Sequence, residues 1–128
     1  MKYDERFFDP PAPLAFVTLR DPESSRLQEN VPMLIDSGAD VTLVPQYVIE
    51  LLDVQTSSET PRKLLNFDGQ ISSAQVVALE MRFQGRTFRG QFLITQDKVG
   101  ILGRNILNKI PLVLHGPHQE WYELKDES

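Results

Sequence analysis

Residues Met33–Val44 read M-L-I-D-S-G-A-D-V-T-L-V, two apolar runs separated by an acidic turn that contains a glycine. Few local structures satisfy that pattern. Each run reads as a covered strand, and the turn between them has to hold Asp36 beside Gly38. Moving an ionised carboxylate out of water costs free energy, so an Asp planted between covered segments is hydrogen-bonded, paired or kept partly protonated. The triplet Asp36-Ser37-Gly38 is weak by itself, because all three are ordinary turn residues. Its flanks sharpen it: apolar residues directly before, Ala39-Asp40 directly after, then Val41-Thr42-Leu43-Val44 resuming a strand-like pattern.

At 128 residues the chain forms one domain, large enough for a single core and too small for two independent lobes. A net charge of −5 argues against a nucleic-acid partner. With no cysteine there is neither a disulfide framework nor a thiol nucleophile. No apolar run approaches the length of a membrane span, and Met1–Arg6 lacks the apolar core of a signal peptide. The expected location is therefore the cytoplasm, with no membrane partner.

Along the chain, residues 1–12 read as a loose N-terminal arm and Leu14–Arg20 as a first strand. Asp21–Asn30 is polar and reads as a loop, and Val31–Ile35 returns as a strand ending at Asp36. Gln46–Leu52 after Pro45 is a short helix candidate. Gln55–Arg62 reads as polar loop, followed by strands Lys63–Phe67 and Gln70–Leu79 around Asp68-Gly69, a favoured hairpin dipeptide. Glu80–Phe83 and Thr87–Ile94 repeat that pattern around Gln84-Gly85-Arg86. A second short helix fits Arg104–Asn108, and Pro111–His115 closes as a strand. Short strands with turn signals about every ten residues indicate an all-β sandwich or barrel.

A second cluster, Gly100-Ile101-Leu102-Gly103-Arg104-Asn105-Ile106-Leu107, reads alone as an apolar strand ending in a glycine turn with Arg104 on the surface. Taken with Asp40 it gains a function, because Arg can hold a carboxylate bidentately and so fix the loop that carries Asp36. The joint occurrence of the two clusters, in this order, is the stronger signal.

L-I-D-S-G-A-D-V-T-L-V followed by I-L-G-R-N-I-L resembles the retropepsin family, the aspartic proteases of retroviruses and LTR retrotransposons with free-standing relatives. The resemblance covers residues 13–115. It implies a closed, mostly antiparallel acid-protease β-barrel with one or two short helices and one lobe per chain. It also implies a homodimer that cuts polypeptide substrate without metal or cofactor, each subunit giving one catalytic Asp. Asp36 would be that residue, Ser37 and Gly38 its supports, and Ala39 and Asp40 substrate contacts. Arg104 would be the structural partner of Asp40, and Phe67, Asp68 and Gly69 would sit at the tip of a flap over the substrate. Residues 116–128 extend beyond the resemblance. A strand over His118–Leu124 is expected there, packing Trp121 or Tyr122 on the core or across a dimer contact.

Peptide hydrolysis without metal or covalent intermediate needs a base to activate water and an acid to protonate the carbonyl oxygen and then the leaving amine. Two adjacent carboxylates sharing one proton supply both. A bilobal enzyme would carry a second Asp-[Ser/Thr]-Gly, and Asp68-Gly69-Gln70 does not match. The remaining route sets Asp36 against its own copy across a two-fold axis, with the Ser37 hydroxyl free to bond across that axis. His115 and His118 lack the company of a zinc site, and Ser37 lacks a nucleophile elbow. Two further readings stay open: a retropepsin-like dimerisation or peptide-binding module with little or no cleavage, and a plain barrel in which Asp36 caps a turn.

Overall fold

Alternation along β1 (Leu14–Arg20) builds one wall of the core: Ala15, Val17 and Leu19 are buried while Phe16 faces out, 48% exposed. The computed structural model describes residues 1–65 and 71–125, with side chains outside 57–74. β2 (Leu27–Ile35) runs antiparallel to β1, burying Val31, Met33 and Ile35 and turning Pro32 and Leu34 outward. Its register shifts between Val17 and Leu19, beside Asn30 at φ 58. β3 (Leu43–Pro45) leads into α1 (Gln46–Leu52), which packs Val48, Ile49 and Leu52 onto the barrel and ends at Asp53 in the left-handed region.

Among the described residues β4 (Ser57–Leu65) pairs only with β5 (Ile71–Phe83), and β5 continues antiparallel to β6 (Arg86–Thr95). The two-residue turn between β5 and β6 has both central residues at positive φ, Gln84 at 53° and Gly85 at 73°, the conformation that matches strand twist in tight hairpins. β7 (Gly100–Leu102) lies between β2 and β3, parallel to the first and antiparallel to the second. The far part of β5 pairs back onto β1 through Thr18↔Arg82, Leu19↔Met81 and Arg20↔Glu80. The order β1-β2-β7-β3-β6-β5 thereby closes into a six-stranded barrel, and closure leaves those strands without open edges. An ion pair from Arg20 to Glu80 at 2.8 Å sits on the seam.

α2 (Arg104–Leu107) follows β7, and a separate hairpin of β8 (Leu112–His115) and β9 (Glu120–Glu123) completes the chain. Trp121 plugs the barrel, 2% exposed, 6.0 Å from the Phe83 ring and donating its indole N–H to the Leu14 carbonyl at 3.0 Å. Tyr122, on the other face of the strand, is exposed. No helix among the described residues is long and apolar enough to cross a membrane.

The all-β barrel with two short helices in one lobe is the expected fold. Several boundaries differ. β2 begins at Leu27 rather than Val31 because the polar stretch before Val31 is held by pairing, Leu27 with Arg20 and Gln28 with Leu19, not by burial. β4 likewise begins at Ser57, inside the stretch expected to be loop. The strands expected over Gln70–Leu79 and Glu80–Phe83 are one strand from Ile71 on, β5, with Gln70 outside the described residues. The N-terminal arm is not loose: Met1 and Trp121 exchange backbone hydrogen bonds at 2.8 Å each, Tyr3 N–H donates to Gln119 C=O at 2.8 Å, and Asp4 pairs with Ala12.

Candidate active site

Asp36 stands where β2 ends, and its surroundings come from the strand inserted beside it. Because β7 lies between β2 and β3, the Asp36–Thr42 loop must pass around the end of β7. That passage is close. Asp36 N–H donates to the Leu102 carbonyl at 3.1 Å, and a Cβ on Gly103 would stand 2.3 Å from the Val41 carbonyl oxygen. Glycine is required at 103 by this approach of two backbones, and at Gly100 a Cβ would meet the Leu43 carbonyl oxygen at 2.5 Å.

The Asp36 carboxylate is half-buried, and its Oδ1 accepts the Gly38 N–H at 2.9 Å. A Cβ on Gly38 would lie 3.1 Å from that oxygen, so the small residue permits the tight return of the chain. Ala39 N–H closes the turn onto the Asp36 carbonyl at 3.1 Å. Among the described residues no side chain or backbone donor reaches Asp36 Oδ2, which leaves that oxygen for a water, a substrate or a second carboxylate.

Arg104 clips the loop from outside. Its guanidinium Nη1 donates to the Ser37 carbonyl at 2.7 Å, and its backbone N–H to the Ala39 carbonyl at 2.8 Å. The expected pairing with Asp40 is corrected by this geometry. Asp40 is exposed and makes no ion pair among the described residues, because the guanidinium is spent on a loop carbonyl. Arg104 still fixes the loop, by way of Ser37 rather than Asp40. Ser37 itself is exposed, with its hydroxyl unbonded among the described residues.

Two residues of the site went unassigned in the sequence. Thr42, 1% exposed, accepts the Gly103 N–H on its hydroxyl at 3.0 Å and donates to the Asn105 side-chain oxygen at 2.7 Å. The signal for Thr42 is a hydroxyl set among the apolar residues of V-T-L-V, where burial obliges it to find partners. Asn105 follows directly on Arg104 in the second cluster. Phe67, Asp68 and Gly69 lie outside the described residues.

On the outward face of the β2–β7 pair, at Leu34 two positions before Asp36, is a pocket of about 270 Å³. Leu34 and Ile101, opposite each other in register, form its floor, and Phe7, Phe8 and Val99 contribute walls. A wider groove of about 510 Å³ adjoins it at Phe7 and Lys98 and reaches Tyr47 on α1.

The fold has known counterparts. The EIAV protease complexed with the inhibitor HBY-793 superimposes with a TM-score of 0.59 at 20% sequence identity, over 85% of this chain and 93% of that one. At that identity the likeness concerns the fold. A family model described as aspartyl protease matches residues 25–106, more than half of the chain and inclusive of both Asp36-Ser37-Gly38 and Gly103-Arg104. With the loop, its clip and the barrel in place, the chain belongs to the aspartyl protease family, in the single-lobed, retropepsin-like form.

Proposed function

We propose that the protein is an aspartic endopeptidase of extended polypeptides, its water activated by two Asp36 carboxylates, one from each subunit of a homodimer. The observation that carries this reading is the state of the one Asp36: Oδ1 anchored by Gly38 N–H in a clipped, glycine-bounded loop, Oδ2 without a donor among the described residues. A turn cap makes the same Oδ1 bond; what a cap alone does not require is the clip from Arg104 and the close backbone approach at Gly103 that fix the loop around it. In aspartic proteases two carboxylates about 3 Å apart cannot both ionise and so share one proton. The pair titrates as a unit.

The ionised member takes a proton from water as the water oxygen attacks the peptide carbonyl carbon, while the protonated member gives its proton to the carbonyl oxygen. In the tetrahedral diol that results, one carboxylate recovers a hydroxyl proton and the other protonates the nitrogen as the C–N bond breaks. Both carboxyl groups end as they began, one charged and one neutral. The substrate lies extended, its main chain bonded by Ala39 and Asp40 from below and by the β4–β5 hairpin, with Phe67, Asp68 and Gly69, from above. The pocket floored by Leu34 and Ile101 suits a large apolar side chain next to the scissile bond.

The test incubates the purified protein with a peptide library between about pH 4 and pH 7, beside Asp36→Asn. The wild type cleaves, best at mildly acidic pH where the dyad holds a single proton, and Asp36→Asn is folded and inactive. Peptide binding by both proteins with cleavage by neither would instead identify a recognition module.

A further inference from the structure

Phe7 and Phe8 project from the N-terminal arm, and the core does not account for them. Neither ring belongs to the apolar cluster around Trp121, and Phe7 is 47% exposed. The arm that carries them is nevertheless tied. Residues 4–12 form a loop closed at its base by Asp4 N–H to the Ala12 carbonyl at 2.7 Å and Ala12 N–H to the Asp4 carbonyl at 3.1 Å. Asp4 Oδ2 accepts the Phe7 N–H at 2.7 Å, a local side-chain bond that fixes the backbone from which the ring projects. The Arg6 guanidinium lies 5.9 Å from the centre of the Phe7 ring.

The loop delivers both rings to the outward face of the β2–β7 pair. Phe8 walls the pocket floored by Leu34 and Ile101, while Phe7 walls that pocket and also the groove that reaches Tyr47. Pro32 lines the groove from the same strand face, two positions before Leu34, so the two compartments follow one another at about 6 to 7 Å along β2. Phe7, with Lys98 from the β6–β7 connection, is the partition between them. At about 270 Å³ the pocket lies below the range that holds a drug-sized ligand and suits a single side chain.

We propose that Phe7 and Phe8 set the side-chain specificity of the cleft. Phe8 limits the size accepted over Leu34 and Ile101, and Phe7 shuts that pocket off from the groove. The pocket then takes one aromatic or branched aliphatic side chain of a polypeptide substrate and refuses a longer, two-ring one. This rests on the reading of the protein as an aspartic peptidase and adds the residues that choose where it cuts.

The two rings have opposite effects when altered, which separates this role from merely holding the arm in place. Cleavage of a peptide series that varies one side chain through valine, leucine, phenylalanine and biphenylalanine tests it. Wild type prefers leucine and phenylalanine and discriminates against biphenylalanine by about tenfold or more in kcat/KM. Phe7→Ala opens the pocket into the groove and removes most of that discrimination. Phe8→Trp narrows the pocket and moves the preference to valine, with kcat/KM for phenylalanine falling about tenfold. Asp4→Ala unpins Phe7 without changing either ring, and relaxes the discrimination in the direction of Phe7→Ala. All three variants keep the near-ultraviolet signal of Trp121, whose carbonyl holds Met1 at the start of the arm. A preference unchanged in Phe7→Ala and Phe8→Trp, or a change uniform across the series, overturns the proposal and leaves the peptidase reading standing. A wild type that cleaves no peptide overturns both.

Discussion

At Thr42 one hydroxyl ties three segments together: it accepts from Gly103 after β7, donates to Asn105 in α2, and belongs to the chain returning from Asp36. Replacing it with valine keeps the shape and strands a buried N–H. Thr42→Val should cost about 2 to 3 kcal/mol in denaturant unfolding and lower kcat more than it raises KM, because the loop loses its fixed position. Gly103→Ala is harsher. Its Cβ would meet backbone at 2.3 Å, which nothing flexible relieves, and a loss of about 3 kcal/mol or more should appear as low soluble yield and an early thermal transition. Arg104→Ala removes the bond to Ser37 and keeps the backbone bond to Ala39. It should lower stability by only about 1 kcal/mol, while peptidase activity falls further and Arg104→Lys recovers part of it. The Asp36 loop was legible in the sequence as a loop, since Asp36-Ser37-Gly38 and Gly103-Arg104 were both visible there. Which acceptor Arg104 takes was not, because a guanidinium satisfied by a carbonyl and one satisfied by a carboxylate leave the same letters.

Among elements, the β1–β2 connection is organised by Asp21. Its carboxylate accepts the Ser24 hydroxyl at 2.6 Å and the Glu23 N–H at 3.0 Å, and these bonds hold its pKa below the ordinary value of 3.8. A depressed carboxylate stabilises the fold above the unfolded-state value and loses that contribution as pH falls through the folded one. Asp21→Asn should therefore flatten the stability profile below about pH 4, as followed by acid-induced change in tryptophan fluorescence, and leave the profile above it nearly parallel to wild type. Strands with alternating burial, such as β1, and the helix after Pro45 were readable at their observed bounds. The early parts of β2 and β4 were not, because Leu27–Asn30 and Ser57–Arg62 become strand through backbone pairing with the adjoining strands β1 and β5, and pairing leaves no periodic trace in polar residues. Trp121 was one of two candidates for burial in the extension. The structure selects it because it faces Phe83 and Leu14, with Tyr122 on the opposite side of a strand of period two.

For the whole molecule, the proposed dyad makes activity a property of two chains. Adding Asp36→Asn to wild type should inhibit beyond simple dilution, since in an equal mixture about a quarter of the dimers carry two intact acids when pairing is random. Activity that merely adds, unaffected by the inactive partner, would mean that each chain works alone. The molecule also joins its extremes: the Met1 ammonium binds the Trp121 carbonyl across 120 positions, and the Trp121 indole reaches Leu14 across 107. Contacts of such separation delay folding, because the entropy of closing the intervening chain is spent before they form. During synthesis the barrel stays unplugged until β9 has left the ribosome, so a chain that stops short of β9 holds Asp36 in an unfinished frame.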